Sequence, residues 1–453
     1  NKGLLELGEV ALFDLEGNRV NLSASASPLF DEQETVPEKT TYYDSAYFDE
    51  IYHPRTAWEH IRGIEPYEIS HPPLGKLIMG VGIRLFGMTP FGWRFMGPLF
   101  GVGMLPLLYV FLKNLFGRTS IATCGTVLLA ADFMHLTQTR LATIDTYAFF
   151  FILLMYYFMY RYLTLPAGAP FRKCALPLFL SGLFWGIGAA SKWTVIYGCT
   201  GLVVLYFIGL YQKLRDWPAD GETGARQPGR LKWAFQILAF SVLVFALIPA
   251  AIYTLSYLPY AWAEGDSSLT GLVGAMWENQ RYMLSYHSGV TDTHPYSSRW
   301  YQWLFDIRPI LYYMDNSVPG YTTRFAAFVN PVVCWGGLLA VLACAAQAVR
   351  RRCAKALFIV IGYLAQLVPW FFIGRITFAY HYFPSVLFLI LALCYVFYSL
   401  SEQEELIAWK PAMYAITAGA AALYALFYPV LVGIQIPSWY GTCLLRWLPS
   451  WPF

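Results

Sequence analysis

Two adjacent carboxylates, Asp49 and Glu50, are the strongest candidates for acid–base chemistry in this sequence. They lie in the aromatic and polar segment 47–53, and the Pro72-Pro73 turn separates that segment from the first long apolar run. Neighbouring side chains do not point the same way on a helix or a strand, so one carboxylate can face a cleft while the other braces a cation or a backbone amide. A carboxylate that reaches a hydroxyl can act as its general base.

A second set of candidates consists of charged or titratable residues near one end of predicted membrane-spanning segments. They are Arg94, Arg140, Asp145, Lys192, Arg375 and His381. A charge at membrane depth costs roughly 2.5–3.5 kcal/mol, so one retained there tends to be paired or functional. Arg offers a planar fork of donors and Lys a point charge, which are the groups that bind phosphate. The set therefore indicates a lipid phosphate site, and snorkelling or a structural ion pair is the alternative for each member.

The composition indicates what must position these residues. The 453 residues are 57% hydrophobic and only 13% charged, whereas soluble domains carry about 25% charged residues. Apolar runs of about 20 residues, long enough to span a bilayer as helix, recur along the chain. The net charge of +3 gives no reason to expect a nucleic-acid partner. We therefore predict an all-α polytopic protein embedded in a lipid bilayer.

Ten spanning helices are predicted, together with one shorter helix, residues 74–86, that lies at the interface because it is too short to span. The spans are placed near 91–112, 119–136, 144–163, 175–190, 194–211, 233–257, 326–347, 356–373, 382–400 and 410–432.

Lys and Arg cluster in alternate loops, near 113–118, 161–173, 213–232 and 350–355. By the positive-inside rule these loops are cytoplasmic. The loop 41–73, the long loop 258–325 and the tail after Gln435 are therefore predicted on the extracytoplasmic side. All the candidate residues fall at that boundary.

The domain prediction follows from these segments. Residues 1–40 read as strand, turn and strand, the remnant of an N-terminal β-rich soluble domain with its linker. Residues 41–90 form the first extracytoplasmic loop with its interfacial helix, 91–257 and 326–433 hold the spans, 258–325 is a long extracytoplasmic loop, and 434–453 is an extracytoplasmic tail. Because the chain opens in mid-domain, we expect it to be part of a longer polypeptide that has at least one further N-terminal span.

The long loop 258–325 carries Trp262, Trp277 and Asp292 among many aromatic and polar residues. They suit either an amphipathic element at the membrane interface or a sugar-binding surface. The eight cysteines show no disulfide or zinc spacing and are predicted to pack as small apolar residues.

Several motifs together resemble those of the protein O-mannosyltransferase family. They are Tyr47-Phe48-Asp49-Glu50, Ser70-His71-Pro72-Pro73-Leu74-Gly75-Lys76, Gly92-Trp93-Arg94-Phe95, Arg140-Leu141-Ala142-Thr143-Ile144-Asp145, Ala190-Ser191-Lys192-Trp193, the segment 294–300 and Phe378-Ala379-Tyr380-His381-Tyr382-Phe383-Pro384. The matches cover about residues 42–400 in family order.

The resemblance implies a GT-C membrane glycosyltransferase that moves mannose, with inversion, from a polyprenyl- or dolichyl-phosphate donor to a Ser or Thr hydroxyl of a protein. It makes Asp49 the catalytic base, with Glu50 beside it. The residues it implies for donor phosphate and lipid binding are Arg94, Arg140, Lys192, Arg375, His381 and Tyr382. The supporting residues it implies are His71, Lys76, Asp145 and His294.

The chain departs from the eukaryotic members because loop 258–325 is too short for their β-trefoil domain. It therefore resembles a prokaryotic member, and a multi-pass location in the plasma membrane is expected. No Asp-x-Asp pair occurs, and Arg and Lys can neutralise the leaving phosphate instead. We expect neither a metal ion nor a cofactor other than the lipid-linked sugar.

Two other functions are compatible with parts of the sequence. A sibling enzyme would use the same donor chemistry but place the sugar on a lipid or a cell-wall glycan. A transporter or lipid-binding scaffold would be a different class. Transporters place polar sites near the midplane in broken helices of paired repeats, and this sequence shows no such repeat.

Overall fold

The computed structural model describes residues 9–21, 27, 29–30, 33, 36, 46–219, 229–291, 293–403 and 409–453. The chain divides into two compact units, Asn1–Tyr47 and Phe48–Phe453. In the described part of the first unit, a turn over residues 14–18 is closed by one antiparallel bridge between Phe13 and Arg19. The predicted turn is therefore present, with a bridge in place of two full strands. The end of the second predicted strand, at Leu22, and Asp292 of the long loop lie outside the described residues.

The second unit is mostly helical. Its helices as far as residue 263 are α1 (His53–Arg62), α2 (Leu74–Phe86), α3 (Pro90–Arg94), α4 (Met96–Phe116), α5 (Thr119–Ala130), α6 (Phe133–Arg140), α7 (Asp145–Leu163), α8 (Phe171–Ser191), α9 (Thr194–Arg215), α10 (Arg230–Val242), α11 (Ile248–Leu255) and α12 (Leu258–Ala263). The later ones are α13 (Leu269–Gly289), α14 (Trp300–Trp303), α15 (Gly337–Arg351), α16 (Ala354–Leu367), α17 (Phe383–Ser401), α18 (Trp409–Val432) and α19 (Ser438–Tyr440).

Eight helical segments of the described chain are long and apolar enough to cross a membrane, or nine if the bent pair α5–α6 counts as one span. The helix predicted at 144–163 is present as α7, but Asp145, Arg161 and several tyrosines leave it outside that set. It packs against α4, α8 and α9 inside the bundle. A helix or, at 119–136, a bent helix pair therefore stands at each of the ten predicted spans, and α7 is the one that falls outside the most apolar set.

Two predicted spans have different bounds for local reasons. The span at 119–136 breaks by 55° between α5 and α6, because the Asp132 side chain caps α6 by accepting the backbone N–H of His135 at 2.9 Å. The span at 326–347 starts later, at Val332, because residues 326 and 327 end a strand and Asn330-Pro331 precedes the helix. The predicted short helix 74–86 is α2, with the same bounds.

A small antiparallel sheet, which no pattern in the sequence predicted, joins the long loop to the tail. Its strands are β1 (Ile310–Asp315), β2 (Tyr321–Ala327) and β3 (Gln435–Pro437), in the order β1–β2–β3. Thr322 pairs with Ile436 across the β2–β3 boundary. The sheet therefore links the loop 258–325 to the tail after α18 through backbone pairing of β2 with β3.

The centre of the bundle is α17, in which residues 383–395 are all buried. A helix that is apolar on every side belongs in an interior, and α17 packs against α5, α7, α15 and α16. Glycines bring other helices close together. A Cβ on Gly182 of α8 would lie 2.1 Å from the carbonyl oxygen of Val244, and one on Gly186 would lie 2.8 Å from Cα of Pro249. Small residues four apart allow this approach of two backbones.

This contact predicts the effect of one methyl group. Gly182→Ala should lower the Tm of the detergent-solubilised protein. The added methyl group meets the Val244 backbone, which cannot rotate out of the way as a side chain can, and overpacking costs about 1–3 kcal/mol. Gly419→Ala on α18 is the matched control, since a Cβ there meets nothing within 4 Å. Its Tm should stay the same or rise slightly, because Ala favours helix over Gly by roughly 1 kcal/mol. Equal Tm values for the two variants would contradict the close contact between Gly182 and the Val244 backbone.

Candidate active site

One cavity of about 1220 Å³ gathers half of the predicted site residues. Its wall is built from the 3-10 turn Phe48–Ile51, the segment 67–71, the α8–α9 junction, the end of α13 and the segment 370–381. The predicted residues on the wall are Asp49, His71, Lys192, His294, Arg375 and His381. Segments far apart in sequence therefore meet around this cavity.

Asp49 lines the cavity, and its carboxylate accepts no hydrogen bond from a described residue. Its backbone carbonyl accepts the N–H of Tyr52 at 3.0 Å, which closes the turn, but no described residue donates a hydrogen bond to its side chain. Burial raises the pKa of Asp49; nearby His53 and Lys192 oppose this rise, while Asp145 and Glu68 add to it. A partly buried carboxylate with a raised pKa and free oxygens has the properties of a general base.

Glu50 points the other way and is fully engaged. Arg94 donates to both of its oxygens, from Nε at 2.9 Å and from a terminal nitrogen at 2.7 Å. The backbone N–H of Ala142, between α6 and α7, donates to the same carboxylate at 2.8 Å. Asp49 thus faces the cavity while Glu50 binds a cation and a backbone amide, an arrangement that the sequence allowed. Glu50 braces the turn, and Arg94 lies against Glu50 and is not among the cavity-lining residues.

Phe48, directly before Asp49, has an unusual backbone conformation. Its φ of 52° lies in the left-handed region, which for a bulky residue costs of order 1–3 kcal/mol. Its ring makes edge contacts with His294, Tyr312, Phe378 and Tyr380 at centroid distances of 5.8, 5.9, 5.0 and 5.8 Å. Such contacts contribute about 0.5–1.5 kcal/mol each beyond the area they bury, which offsets the strain.

Lys192 forms a buried ion pair with Asp145. The distance from Nζ to Oδ1 is 2.7 Å, and both side chains are 6% exposed. Asp145 lies in the first turn of α7, where a negative charge is favoured by the helix dipole. Lys192 also lies 5.5 Å from the ring centroid of Tyr380. The pair fixes a cation on the cavity wall at the junction of α8 and α9.

A second buried ion pair, between Lys76 and Glu68, lies at the part of the wall formed by the segment 67–71. Lys76 Nζ lies 2.7 Å from Oε2 of Glu68, and Nδ1 of His71 lies 3.2 Å from Oε1. Burial alone would raise the pKa of Glu68, but the Lys76 ammonium holds it well below its usual range. Burial lowers the pKa of His71 to about 3. The ring is therefore neutral at neutral pH.

The hydrogen-bond partners of His71 favour one tautomer. An ionised carboxylate can only accept a hydrogen bond, and the Ser70 hydroxyl donates to the same Glu68 oxygen. A proton on Nδ1 of His71 therefore serves both Oε1 of Glu68 at 3.2 Å and Oγ of Ser70 at 3.0 Å. Nε2 is then left as an acceptor, and His71 lines the cavity. Lys76, which is completely buried, acts through Glu68 and does not touch the cavity.

Arg375 is the cavity-lining cation that forms no ion pair with a described residue. Its only hydrogen bond among these residues is a long one, 3.5 Å, to the carbonyl of Ile376. The guanidinium therefore remains available to an anion in the cavity. His381, by contrast, is held by the Phe378 carbonyl at 3.0 Å and stacks on Tyr380 at 4.5 Å.

Arg140 and Tyr382 also lie off the cavity wall, as do the predicted residues Glu50, Arg94, Lys76 and Asp145. Arg140 lies beside the carbonyl of Leu431 at 3.3 Å and over the ring of Phe325 at 5.6 Å. Tyr382 is buried, and its hydroxyl lies 2.7 Å from that of Tyr363. The roles in donor binding predicted for these two residues and for Arg94 stay predictions, and the cavity gives them no direct contact.

Several residues of the wall had no predicted role in the site, although His53 lies in the segment 47–53 and His287 in the loop 258–325. Glu68, His53 and His287 line the cavity, and Nε2 of His287 lies 2.9 Å from the carbonyl of Ser70. The signal for Glu68 was its place in the same polar segment, just before the Ser70–Lys76 motif. In the described part of the chain, no group of three or more His, Cys, Asp or Glu side chains is arranged to hold a metal ion.

Comparisons with known proteins give the family. A family model described as dolichyl-phosphate-mannose-protein mannosyltransferase matches residues 87–263. A second, described as the C-terminal four TMM region of protein-O-mannosyltransferase, matches residues 272–451. Together the two models cover well over half of the chain.

Similar sequences extend this match over nearly the whole chain. The polyprenol-phosphate-mannose–protein mannosyltransferase of Mycolicibacterium smegmatis is 26% identical over 459 residues, which span 89% of this chain and 87% of that protein. The protein of the same description from Mycobacterium tuberculosis is 26% identical over 490 residues, which span 96% of this chain and 88% of that protein.

A solved structure shows the same fold. The Saccharomyces cerevisiae protein O-mannosyltransferase complex bound to its sugar donor matches with a TM-score of 0.77 at 14% identity, over 91% of this chain and 90% of that chain. The predicted GT-C glycosyltransferase fold is therefore confirmed. With both family models matched in chain order and the fold shared, the chain belongs to the protein O-mannosyltransferase family of membrane glycosyltransferases.

Proposed function

We propose that this multi-pass membrane protein transfers mannose from a polyprenyl-phosphate donor to a Ser or Thr hydroxyl of a protein, with inversion, at the extracytoplasmic face of the plasma membrane. The observation that carries the proposal is which carboxylates at the cavity are bound to a cation and which one is not. Glu50, Glu68 and Asp145 are each bound to a cation, whereas Asp49 has no hydrogen-bond partner on its carboxylate among the described residues.

Asp49 would act as the general base. The acceptor hydroxyl loses its proton to the Asp49 carboxylate while its oxygen forms a bond to the anomeric carbon. The bond between that carbon and the phosphate oxygen breaks, and its electron pair stays on the phosphate. A single displacement of this kind inverts the anomeric centre.

Arg375 and Lys192 would stabilise the departing lipid phosphate. Cations directed at a site of developing charge act most strongly in a cavity with little water. Lys192 is already balanced by Asp145, so Arg375 supplies the uncompensated charge. With these two cations on the wall, we propose that the leaving phosphate needs no metal ion. The acceptor nitrogen of His71 can receive a hydrogen bond from a sugar hydroxyl.

The distribution of basic residues supports the extracytoplasmic placement. Lys192 follows the end of α8, while Arg172 and Lys173 lie at its other end and Lys213 and Arg215 lie in the last turn of α9. By the positive-inside rule the ends with several Lys and Arg residues face the cytoplasm, so the cavity opens on the opposite side. The bacterial relatives, named for a polyprenol-phosphate donor, support a polyprenyl carrier and hence a plasma-membrane location.

A direct assay tests the function. Purified protein given labelled polyprenyl-phosphate-mannose and a Ser/Thr-rich peptide should label the peptide, with the anomeric configuration of the product opposite to that of the donor. The rate should not change in EDTA, because Arg375 and Lys192 carry the charge of the phosphate. Label on a lipid or a cell-wall glycan in place of the peptide would indicate the sibling transferase. Activity lost in EDTA and restored by manganese would contradict the metal-free proposal.

Removing the base should stop turnover and spare donor binding. Asp49→Asn should lower kcat by about 10²–10⁴, the usual contribution of a general base, with the Kd for the labelled donor unchanged. Glu65→Gln is the control, since Glu65 is an exposed carboxylate that does not line the cavity. An Asp49→Asn variant that retained nearly full activity would show that Asp49 is not the base.

Removing the unpaired cation should weaken use of the donor. Arg375→Ala should lower kcat/KM for the lipid donor about tenfold or more, because a hydrogen bond to a charged group contributes about 1.5–3 kcal/mol. Arg375→Lys should recover part of the loss. Arg281→Ala on α13, exposed and away from the cavity wall, should behave like the native protein. If Arg375→Ala also matched the native protein, the phosphate must bind elsewhere.

A further inference from the structure

The turn that carries Asp49 is clamped on both sides of that residue. On one side, Glu50 is bound by Arg94 and by the backbone of Ala142. On the other side, Phe48 holds a left-handed backbone conformation that a phenylalanine rarely adopts. Between the two clamps, the Asp49 side chain has no hydrogen-bond partner of its own in the described part of the chain.

The clamp on the Phe48 side consists of aromatic rings from three separate segments. His294 comes from the loop after α13, Tyr312 from β1, and Phe378 and Tyr380 from the segment before α17. All four rings meet Phe48 at interplanar angles between 62° and 88°. A box built from three segments can hold a strained turn because each wall is fixed independently of the turn.

We propose that Phe48 is a positioning residue for Asp49, whose ring, seated in the box of His294, Tyr312, Phe378 and Tyr380, holds the left-handed turn that directs the free carboxylate into the cavity. This inference rests on the proposed role of Asp49 as base. It assigns a task to Phe48, the aromatic residue directly before Asp49 in the Tyr47–Glu50 motif. It also explains why a strained conformation is retained directly beside the reactive group.

Three variants of Phe48 separate the effect of its ring contacts from the effect of its backbone strain. Phe48→Leu keeps apolar volume but loses the aromatic edges, and Phe48→Gly adopts a positive φ without strain but has no ring. Phe48→Tyr keeps the ring. We expect kcat to fall at least tenfold in the Leu and Gly variants, with the KM for the lipid donor within threefold of the native value, and to stay within threefold of native in the Tyr variant. Phe235→Leu, on an exposed helix face, is the control for loss of one ring.

The acidic limb of the pH profile, the pH at which kcat/KM falls on the acidic side, is a second measurement. A merely structural role of Phe48 would not shift it. Burial raises the pKa of Asp49 in the native turn, and a base must be ionised, so activity falls as the pH drops through that pKa. A loosened turn lets water reach the carboxylate, and the limb should move to lower pH in the Leu and Gly variants. The charged groups acting on Asp49, namely His53, Lys192, Asp145 and Glu68, are the same in every variant.

Each outcome decides the proposal. Native kcat in both the Leu and Gly variants, a loss confined to the donor KM, or a lower kcat with an unmoved acidic limb would each overturn it. Tm measurements in detergent identify a variant that fails to fold, and the Gly variant, free of backbone strain, then serves in place of the Leu variant. Failure of the proposed function is distinguishable, because it would appear as no label on the peptide with the native protein. Failure of the proposed base would appear as full activity in Asp49→Asn, whatever the Phe48 variants do.

Discussion

The bidentate ion pair between Glu50 and Arg94 is the interaction on which the geometry of the site depends. It joins the turn before α1 to the end of α3, and the Ala142 amide adds the junction of α6 and α7 to the same carboxylate. Glu50 is 2% exposed, and loss of one partner of a buried pair typically costs about 3–5 kcal/mol. The turn therefore cannot move away from α3 without leaving a charge buried alone, and Asp49 is held in place with it.

The same rule, that a buried charge needs a partner, selects the reactive groups. Lys76 is bound to Glu68 and Lys192 to Asp145. After these pairs are formed, the cavity wall keeps one carboxylate, Asp49, and one guanidinium, Arg375, without an ion-pair partner among the described residues. Transfer of a sugar from a lipid phosphate needs one group to take a proton and another to stabilise the phosphate. Asp49 and Arg375, the two groups left without an ion-pair partner among the described residues, thus match these two requirements.

Aromatic residues, 18% of the chain, position these charges where hydrogen bonds do not. Phe48 lies in its box of four rings, Lys192 lies over Tyr380, and His381 lies between Tyr380 and Trp370 at 4.5 and 4.6 Å. Rigid rings with few rotamers can fix a backbone turn or a cation without occupying the polar atoms that react. The site consequently combines firm positioning with a free carboxylate.

Local properties of the chain are what the sequence by itself determined. The bounds of α2, most of the spanning helices, the alternation of basic loops and the candidacy of Asp49, Lys192 and Arg375 all follow from run length, residue type and nearby motifs. Tertiary structure alone decided which charges meet, because Glu50 and Arg94 are 44 residues apart and Asp145 and Lys192 are 47 apart. It also decided the break at Asp132, the sheet that joins β2 to β3, and the placement of Arg140 and Tyr382 off the cavity. Partner choice depends on the packing of helices around α17, and no local pattern encodes the distances that this packing creates.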